Sequence, residues 1–492
     1  MTRSQFYLGF DVGTQGTKGL VIDAAARRVV ARASSAYGLI EGLPPGHAEQ
    51  HPSTWERALR EVTASLAREA DLSRLAGLGV SGQQHGCVVL DDAGEVVRPA
   101  KLWCDTSTAS EAEVLSRAFG HAVPAGFTAS KVLWLIRREP ESWSRAEFVM
   151  LPHDWVNFRL TGLATAEPGD ASGTGWLDVR ERRWSARSMS AIDPALARKV
   201  PPLIESGEVA GELTEAGAKW LGLPRETVGA LVATGGGDNM MSAIGSGATR
   251  EGVAVLSLGT SATVFGHSRR PVVDPRGAIA AFCDSTGGWL PLLCVMNATG
   301  VLEEVRGAFG AGLETLTAEA ERVEPGCGGA TFVPYLMGER VPDLPRASGT
   351  LHGLRPGSLA RGVLFRAALE GVALNLALGV ERLRELGLAV DSVRAVGGGA
   401  RNPLWRSILA DCFRASVTPL AEPESAALGA ALQAHWTAER ARGSRPSIDE
   451  LVQPWIAPGG PTVEPDTRRA ARYAEARARF AELVQRLHGP AG

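Results

Sequence analysis

No C-x-x-C pair occurs in this chain, and its six cysteines (Cys87, Cys104, Cys283, Cys294, Cys327, Cys412) lie scattered along it. That spacing excludes a disulfide framework and reads as buried thiols in a reducing compartment. No apolar run reaches the ~18 residues of a membrane helix, and the apolar part of MTRSQFYLGFDVG is too short for a signal peptide. We expect a cytosolic protein with no membrane partner. An excess of one charge is also missing: 51 basic residues face 54 acidic ones, for a formal net charge of −3. Nucleic acid or an anionic membrane would favour a basic face, so neither is expected as the main partner. That balance still leaves room for a local phosphate site. Low-complexity linkers are absent. A Walker A loop is absent too, since Gly13-Thr14-Gln15-Gly16-Thr17-Lys18 lacks the G-x-x-x-x-G-K-[ST] spacing.

What is present is an ordinary globular composition, 45% hydrophobic and 21% charged over 492 residues, enough for two or three domains. Within it one pattern occurs twice. Phe6 to Ile22 reads FYLGFDVGTQGTKGLVI, an apolar run, a turn with Gly13, Thr14 and Thr17, and a second apolar run. VAVLSLGTSATVFG, from Val253, returns the same order with Gly259, Thr260 and Thr263. Glycine lets backbone amides come close to a ligand, and successive N–H groups in such a turn form an anion-binding concavity. Two like turns on two like halves point to a duplicated fold that holds a nucleotide's phosphate chain.

The first half opens as a strand meander over Tyr7–Phe10, Gly19–Ile22 and Val29–Ala33. Ser53-Thr54-Trp55-Glu56 reads as a capping box opening a helix with Trp55, Leu59, Val62 and Leu66 on one face. A buried strand at Leu75–Ser81 runs into Gly82-Gln83-Gln84-His85-Gly86. The domain boundary is expected near Gly245–Glu251, giving 1–247 and 248–492. The second half holds a long apolar helix over Leu359–Leu386 and a strand, Ser392–Val396, leading into Gly397-Gly398-Gly399. An amphipathic tail helix is expected over Thr467–Leu487.

Four constellations can carry chemistry. Asp11, at a strand end beside Gly13-Thr14, is placed to hold Mg²⁺ through water, because that ion takes few carboxylates plus phosphate oxygens. Taken alone, the turn reads better as a tight hairpin in which glycine and threonine only serve the turn; its echo at Gly259, Thr260 and Ser261 reverses that and favours the phosphate reading. Asp238 follows three glycines and is either a general base for a substrate hydroxyl, a metal-associated carboxylate, or the N-cap of a helix from Asn239. Gly397–Gly399 with Asn402 fits a nucleotide-contacting strand–turn–helix, or merely close backbone packing. Gln84, His85, Trp103, Asp105 and Asp154 supply the polar groups and aromatic surface that a sugar needs. For His85 a structural role is the competing reading.

DVGTQGTKGLVID, GVSGQQHGCVVLD, GFTASKVLWLIRREP, MLPHDWVNFRLTG, DASGTGWLDVRERRWS, ATGGGDNMMSAIG, LSLGTSATV, FVPYLMGERVP, GGGARNPLWRSILAD and ESAALGAAL together resemble the FGGY carbohydrate kinases over nearly the whole chain, the xylulokinases most of all. The resemblance implies an α/β, actin-like and ribonuclease H-like fold, duplicated into two lobes with ATP between them. It implies phosphate hairpins at Gly13, Thr14, Thr17 and at Gly259, Thr260, Ser261. An adenosine-side loop falls at Gly397, Gly398, Gly399 and Asn402, and Mg²⁺ at Asp11 and Asp238. Asp238 takes the place of the catalytic base, with sugar contacts from Asn239, Gln84, His85, Trp103, Asp105 and Asp154. The expected reaction is transfer of phosphate from ATP to D-xylulose. Trp103-Cys104-Asp105 is followed by Thr106-Ser107-Thr108 where many relatives carry glycine and arginine. The acceptor therefore stays open to another ketose, an aldonate or a polyol. An actin-like assembly protein without kinase activity is the reading from another class. The oligomeric state is open, with the tail helix or a lobe face available for a homodimer.

Overall fold

The computed structural model describes residues 5–489, which divide into two compact units. The first gathers residues up to 249 together with 282–290 and 424–455, and the second holds the remainder.

In the first unit, β1 (Phe6–Val12), β2 (Gly16–Asp23) and β3 (Arg28–Ala36) form the antiparallel meander read from the sequence. β4 (Leu75–Gly82) runs parallel to β1, and Asp11 pairs in register with Ser81. Beyond it come the edge strand β5 (Val209–Glu212) and β6 (Leu231–Ala233), in the order β5-β6-β4-β1-β2-β3. The two-residue β7 (Gly236–Gly237) pairs with the end of β4. β1 and β4 are covered on both faces, so they read as near-continuous apolar runs rather than alternating ones.

The second unit repeats this plan. β8 (Gly252–Leu258), β9 (Ala262–Gly266), β10 (Leu292–Val295), β11 (Val390–Val396) and β12 (Ser416–Pro419) lie in the order β10-β9-β8-β11-β12. In both sheets three antiparallel strands are followed by two parallel ones: β3-β2-β1 then β4-β6, and β10-β9-β8 then β11-β12. The duplication inferred from two turns thus extends to the topology.

Helix Pro52–Leu66 buries Trp55, Leu59, Val62 and Leu66, as their spacing predicts. Its cap differs from the reading. His51, not Ser53, precedes the first turn, and its ring nitrogen accepts from Ser53 N at 3.2 Å. The cause is Pro52, whose fixed φ and missing N–H suit the first helical position and start the helix early. In the second unit, helix Arg361–Glu385 is the central core element. Its one buried ion pair, Arg366–Glu370 at 2.8 Å, meets the Tyr473 hydroxyl, which donates to Glu370 at 2.8 Å. That bond and the buried Phe480, Leu483 and Val484 seat the tail helix Thr467–His488.

The boundary expected at 247/248 needs two amendments: residues 282–290 and 424–455 return to the first unit. Helix Ser425–Ala441 lies directly on β1 and β4. A Cβ on Gly9 would sit 2.0 Å from Ala427 O, and one on Gly79 would sit 2.1 Å from Ala430 O. Only bare glycines under a helix face of Ala and Gly permit that approach.

Candidate active site

The first G-T turn closes between β1 and β2, where Gly13 N donates to Gly16 O at 3.0 Å. Tyr37 fastens it from below, donating its hydroxyl to Gly13 O at 2.8 Å while Thr17 Oγ1 lies 3.2 Å from Tyr37 OH. Thr14 Oγ1 donates to Gln83 at 3.0 Å and accepts from Trp103 Nε1 at 2.9 Å. Gln50, itself held by Trp55 and Gln83, donates to Thr14 O at 2.7 Å. The turn is therefore preorganised by neighbours from four separate segments.

Beside it the ends of β1, β4 and β7 bring Asp11, Ser81 and Gly236 into one row. Ser81 Oγ donates to Asp11 Oδ1 at 2.8 Å. The chain then turns into helix Asp238–Gly245. Asp238 is its first residue, with Gly237 as the cap, so the N-cap reading of Asp238 is corrected. Asp238 Oδ1 accepts from Asn239 N at 2.8 Å and from Asn239 Nδ2 at 3.1 Å; the same Nδ2 donates to Gln84 Oε1 at 2.8 Å. Burial pushes the Asp238 carboxyl up to about 7, and the negative charges of Asp11 and Asp170 add to this. Burial also raises Asp11, against the Ser81 hydrogen bond and the charge of Lys18.

The three glycines before Asp238 serve the protein's own packing. A Cβ on Gly235 would lie 2.5 Å from Val80 O, and one on Gly237 would lie 2.7 Å from Gln84 Cγ and 3.0 Å from Asp170 Oδ1. Asp170 in turn pairs with His153 Nδ1 at 2.7 Å in a fully buried position. The sequence reading passed over His153 and Asp170, although both stand inside the PHDW and DASGTGW stretches.

In the second unit the turn between β8 and β9 is closed by Gly259 N donating to Ser261 O at 3.0 Å. Helix Thr299–Phe309 buttresses it: Ala298 N donates to Thr260 O and Thr299 N to Gly259 O, both at 3.0 Å. The glycine loop after β11 packs against the same place. Gly397 has φ +87°, and a Cβ there would lie 2.5 Å from Leu258 O, one residue before the turn. Gly399 is buried against Trp405, whereas Gly398 is exposed, with nothing within 4 Å of an added Cβ. Asn402 caps helix Pro403–Phe413, accepting from Trp405 N at 3.1 Å, and donates to Thr317 at 3.0 Å.

Residues 6–245 match the N-terminal domain model of the FGGY family of carbohydrate kinases, and residues 254–438 match its C-terminal domain model. The chain belongs to the FGGY family of carbohydrate kinases. Similar curated proteins include a xylulose kinase from Haemophilus influenzae, 37% identical over 448 residues (87% of this chain, 90% of the relative). Another, from Streptomyces coelicolor, is 40% identical over 452 residues (87% of each). A crystal structure described as a xyloylose kinase from Brucella ovis superposes with TM-score 0.90 at 33% identity, covering 98% of this chain and 99% of that one. The protein is thus a xylulokinase-like sugar phosphotransferase with the two-domain α/β kinase fold, consistent with an actin-like, ribonuclease H-like architecture.

Within this FGGY kinase, several expected contacts fall elsewhere. Thr17 is fully buried and its hydroxyl serves Tyr37, so it shapes the turn from behind. Asp105 is fully buried: Oδ2 accepts from Ala48 N and Lys101 Nζ, and Oδ1 from Ser107 N and Oγ. Burial works against the Asp105 carboxylate, but Ser107, Ala48 and Lys101 together hold it below its ordinary range. The Thr106-Ser107-Thr108 departure thus belongs to this structural knot, with Thr108 bonded to Ala125 O and Ser130. His47, Glu49 and Asp105 cluster as metal ligands do, but the Lys101 ammonium already sits among them. Asp154 is also buried, with Oδ2 accepting from Leu151 N at the start of helix Pro152–Thr161. Trp103 goes to the first G-T turn, through its hydrogen bond to Thr14. Gln84 and Asn239 are joined by a hydrogen bond beside Asp238, and His85 follows Gln84 directly in the chain. The His85 ring stacks on Phe127 at 4.7 Å and lies 5.8 Å from Phe282, adding an aromatic surface that the sequence did not disclose.

The donor set suits Mg²⁺ and a phosphate chain. Among the described residues Lys18, the cation opposite Asp11 on β2, is engaged by Glu424 at 2.6 Å. The charge of Asp11 adds to the raised Asp238 carboxyl, so a cation there would be favoured, and the two supply hard oxygen ligands beside a backbone turn.

Proposed function

We propose that this FGGY kinase transfers the γ-phosphate of ATP to the primary hydroxyl of D-xylulose, giving D-xylulose 5-phosphate, with Asp238 as general base. The observation that carries the reading is the Asp238–Asn239–Gln84 group at the row of strand ends beside the G-T turn. A carboxyl held near neutral pH suits a base that must be ionised at rest and accept a proton in the transition state. Asn239 fixes the Asp238 carboxylate through two hydrogen bonds to Oδ1, leaving Oδ2 for the sugar hydroxyl. As that oxygen attacks phosphorus in line, Asp238 takes its proton.

Gln84 holds Asn239, and the His85–Phe127 stack offers apolar surface to sugar C–H groups. Each G-T turn contributes backbone N–H groups suited to phosphate oxygens. Asp11, with Asp238, would hold Mg²⁺, which supplies neutralisation of phosphate charge. Catalysis then comes mainly from positioning and electrostatics, as phosphoryl transfer requires. D-Xylulose as acceptor is supported by the curated relatives at 37–40% identity, which are xylulose kinases.

The test is ADP release with Mg²⁺-ATP across ketopentoses, aldonates and polyols, with Asp238→Ala as the blank. A strong preference for D-xylulose that is lost in the variant, with ATP binding kept, is the expected result. An Asp238→Ala enzyme down less than about tenfold removes the base assignment. Better turnover of another sugar moves the acceptor, and ATP turnover indifferent to every sugar but tracking self-assembly removes the kinase reading.

A further inference from the structure

Lys131 is a lysine in an unusual place. It lies on helix Thr128–Arg138, is 1% exposed, and has Ala129, Val132, Leu133 and Leu135 buried around it on the same helix. Its ammonium makes no ion pair among the described residues. Instead it donates to two backbone carbonyls, His85 O at 2.8 Å and Gly126 O. An apolar core position is better filled by leucine or methionine, because a buried amine without a counter-charge opposes folding. Such a residue is expected where its N–H groups are needed at a defined point.

That point is His85. The residue sits in the left-handed region at φ +64°, a conformation few non-glycine residues adopt without outside support. Its carbonyl receives both Lys131 Nζ and Thr128 Oγ1, the latter at 3.2 Å. Its ring stacks on Phe127, the residue that precedes the helix, and its Nδ1 donates to Gly173 O at 2.9 Å. One helix start thus grips His85 through a ring, a hydroxyl and an amine. Burial lowers the Lys131 amine to about 7, and the grip survives its titration, since a neutral amine keeps two N–H donors for two carbonyls.

We propose that Lys131 is a positioning residue of the sugar site, acting through the His85 carbonyl to hold the His85 imidazole on Phe127. The inference rests on the reading of His85 as a sugar contact. It assigns the lysine of the GFTASKVLW stretch a task in substrate recognition, although it lies behind the surface the sugar would touch.

The experiment is a double-mutant cycle on the full chain with Lys131→Met, His85→Ala and both together, measuring sugar KM, kcat and ATP affinity. Lys131→Met is expected to raise sugar KM about tenfold, with kcat at saturating sugar and ATP affinity within about threefold of the parent. In the His85→Ala background the same substitution is expected to add nothing, because the ring it positions is gone. Thr128→Val removes the second donor with little change of shape and carries the same cycle should the methionine chain fail to fold; a rise of about three- to fivefold, again absent without His85, is expected. Unchanged sugar KM in folded Lys131→Met or Thr128→Val, or effects that add to that of His85→Ala, overturn the inference alone. Unchanged sugar KM in His85→Ala overturns the reading of the sugar site and this inference with it.

Discussion

Replacing Asp238 by asparagine should abolish activity and yet stabilise the protein above neutral pH. In the folded chain burial, aided by Asp11 and Asp170, lifts this carboxyl to about 7. In the unfolded chain it titrates near ~3.9. A carboxyl raised in this way favours the folded state at low pH, and that contribution is lost as pH rises through about 7. At ~1.4 kcal/mol per unit of pKa, the gap between the two states corresponds to about 4 kcal/mol against folding at pH 8. Asp238 is partly open to solvent, and screening reduces the expected gain on its removal to about 1–3 kcal/mol. Asparagine keeps an oxygen for Asn239 N while staying neutral at every pH. Thermal or guanidinium unfolding of both proteins, without nucleotide or Mg²⁺, should show the variant ahead at pH 8, with the advantage shrinking at pH 5 and gone near pH 4. Sugar phosphorylation should meanwhile fall by at least about 10². A variant less stable than the parent at pH 8, or equally stabilised at pH 5 and pH 8, refutes the argument that this carboxylate is held at the expense of stability.

The same carboxyl predicts an acid limb in kcat/KM for the sugar, at or below about pH 7, since a nearby cation favours the ionised form. A flat profile from pH 5 to pH 8 counts against Asp238 as base. Gly237→Ala places a Cβ 2.7 Å from Gln84 Cγ and should part Gln84 from Asn239, destabilising the chain by about 1–3 kcal/mol. Its sugar KM should rise about tenfold while ATP affinity holds, and an unchanged KM in the folded variant would falsify the role given to that hydrogen bond. Arg366→Met leaves Glu370 buried opposite Tyr473 without its cation and should cost about 3–5 kcal/mol, read from the denaturation midpoint. A loss under about 1 kcal/mol would mean that Glu370 finds water or a proton instead.

The parts of the site legible in the sequence are those whose residues are neighbours along the chain. The meander, both G-T turns and the Gly235–Asn239 run each fit within a short window, and apolar periodicity with glycine placement marks them. What the sequence withheld comes from distance. Gln50 beneath Thr14, Tyr37 against Thr17, and His153 with Asp170 behind Gly237 are set by sheet order and helix docking, which no local pattern encodes. Asp105 and Asp154 looked like sugar ligands because a carboxylate in a polar stretch has no visible owner. Ala48, Lys101 and Ser107 claim the first, and the start of helix Pro152–Thr161 claims the second. Ser53 lost its place as a cap to His51 for a local reason, the proline between them.

Helix Ser425–Ala441, lying on the glycines of β1 and β4, has a consequence in time. A ribosome makes those two strands within the first 82 residues and their covering helix only after residue 424. At ~5–20 residues per second, the apolar face of the nascent sheet waits on the order of half a minute for its cover. During that interval a chaperone has something to bind and a premature stop has no way to finish the fold. Residues 250–281 and 291–423 of the second unit must all emerge before the first unit can close, and only its last segment, 456–492, follows.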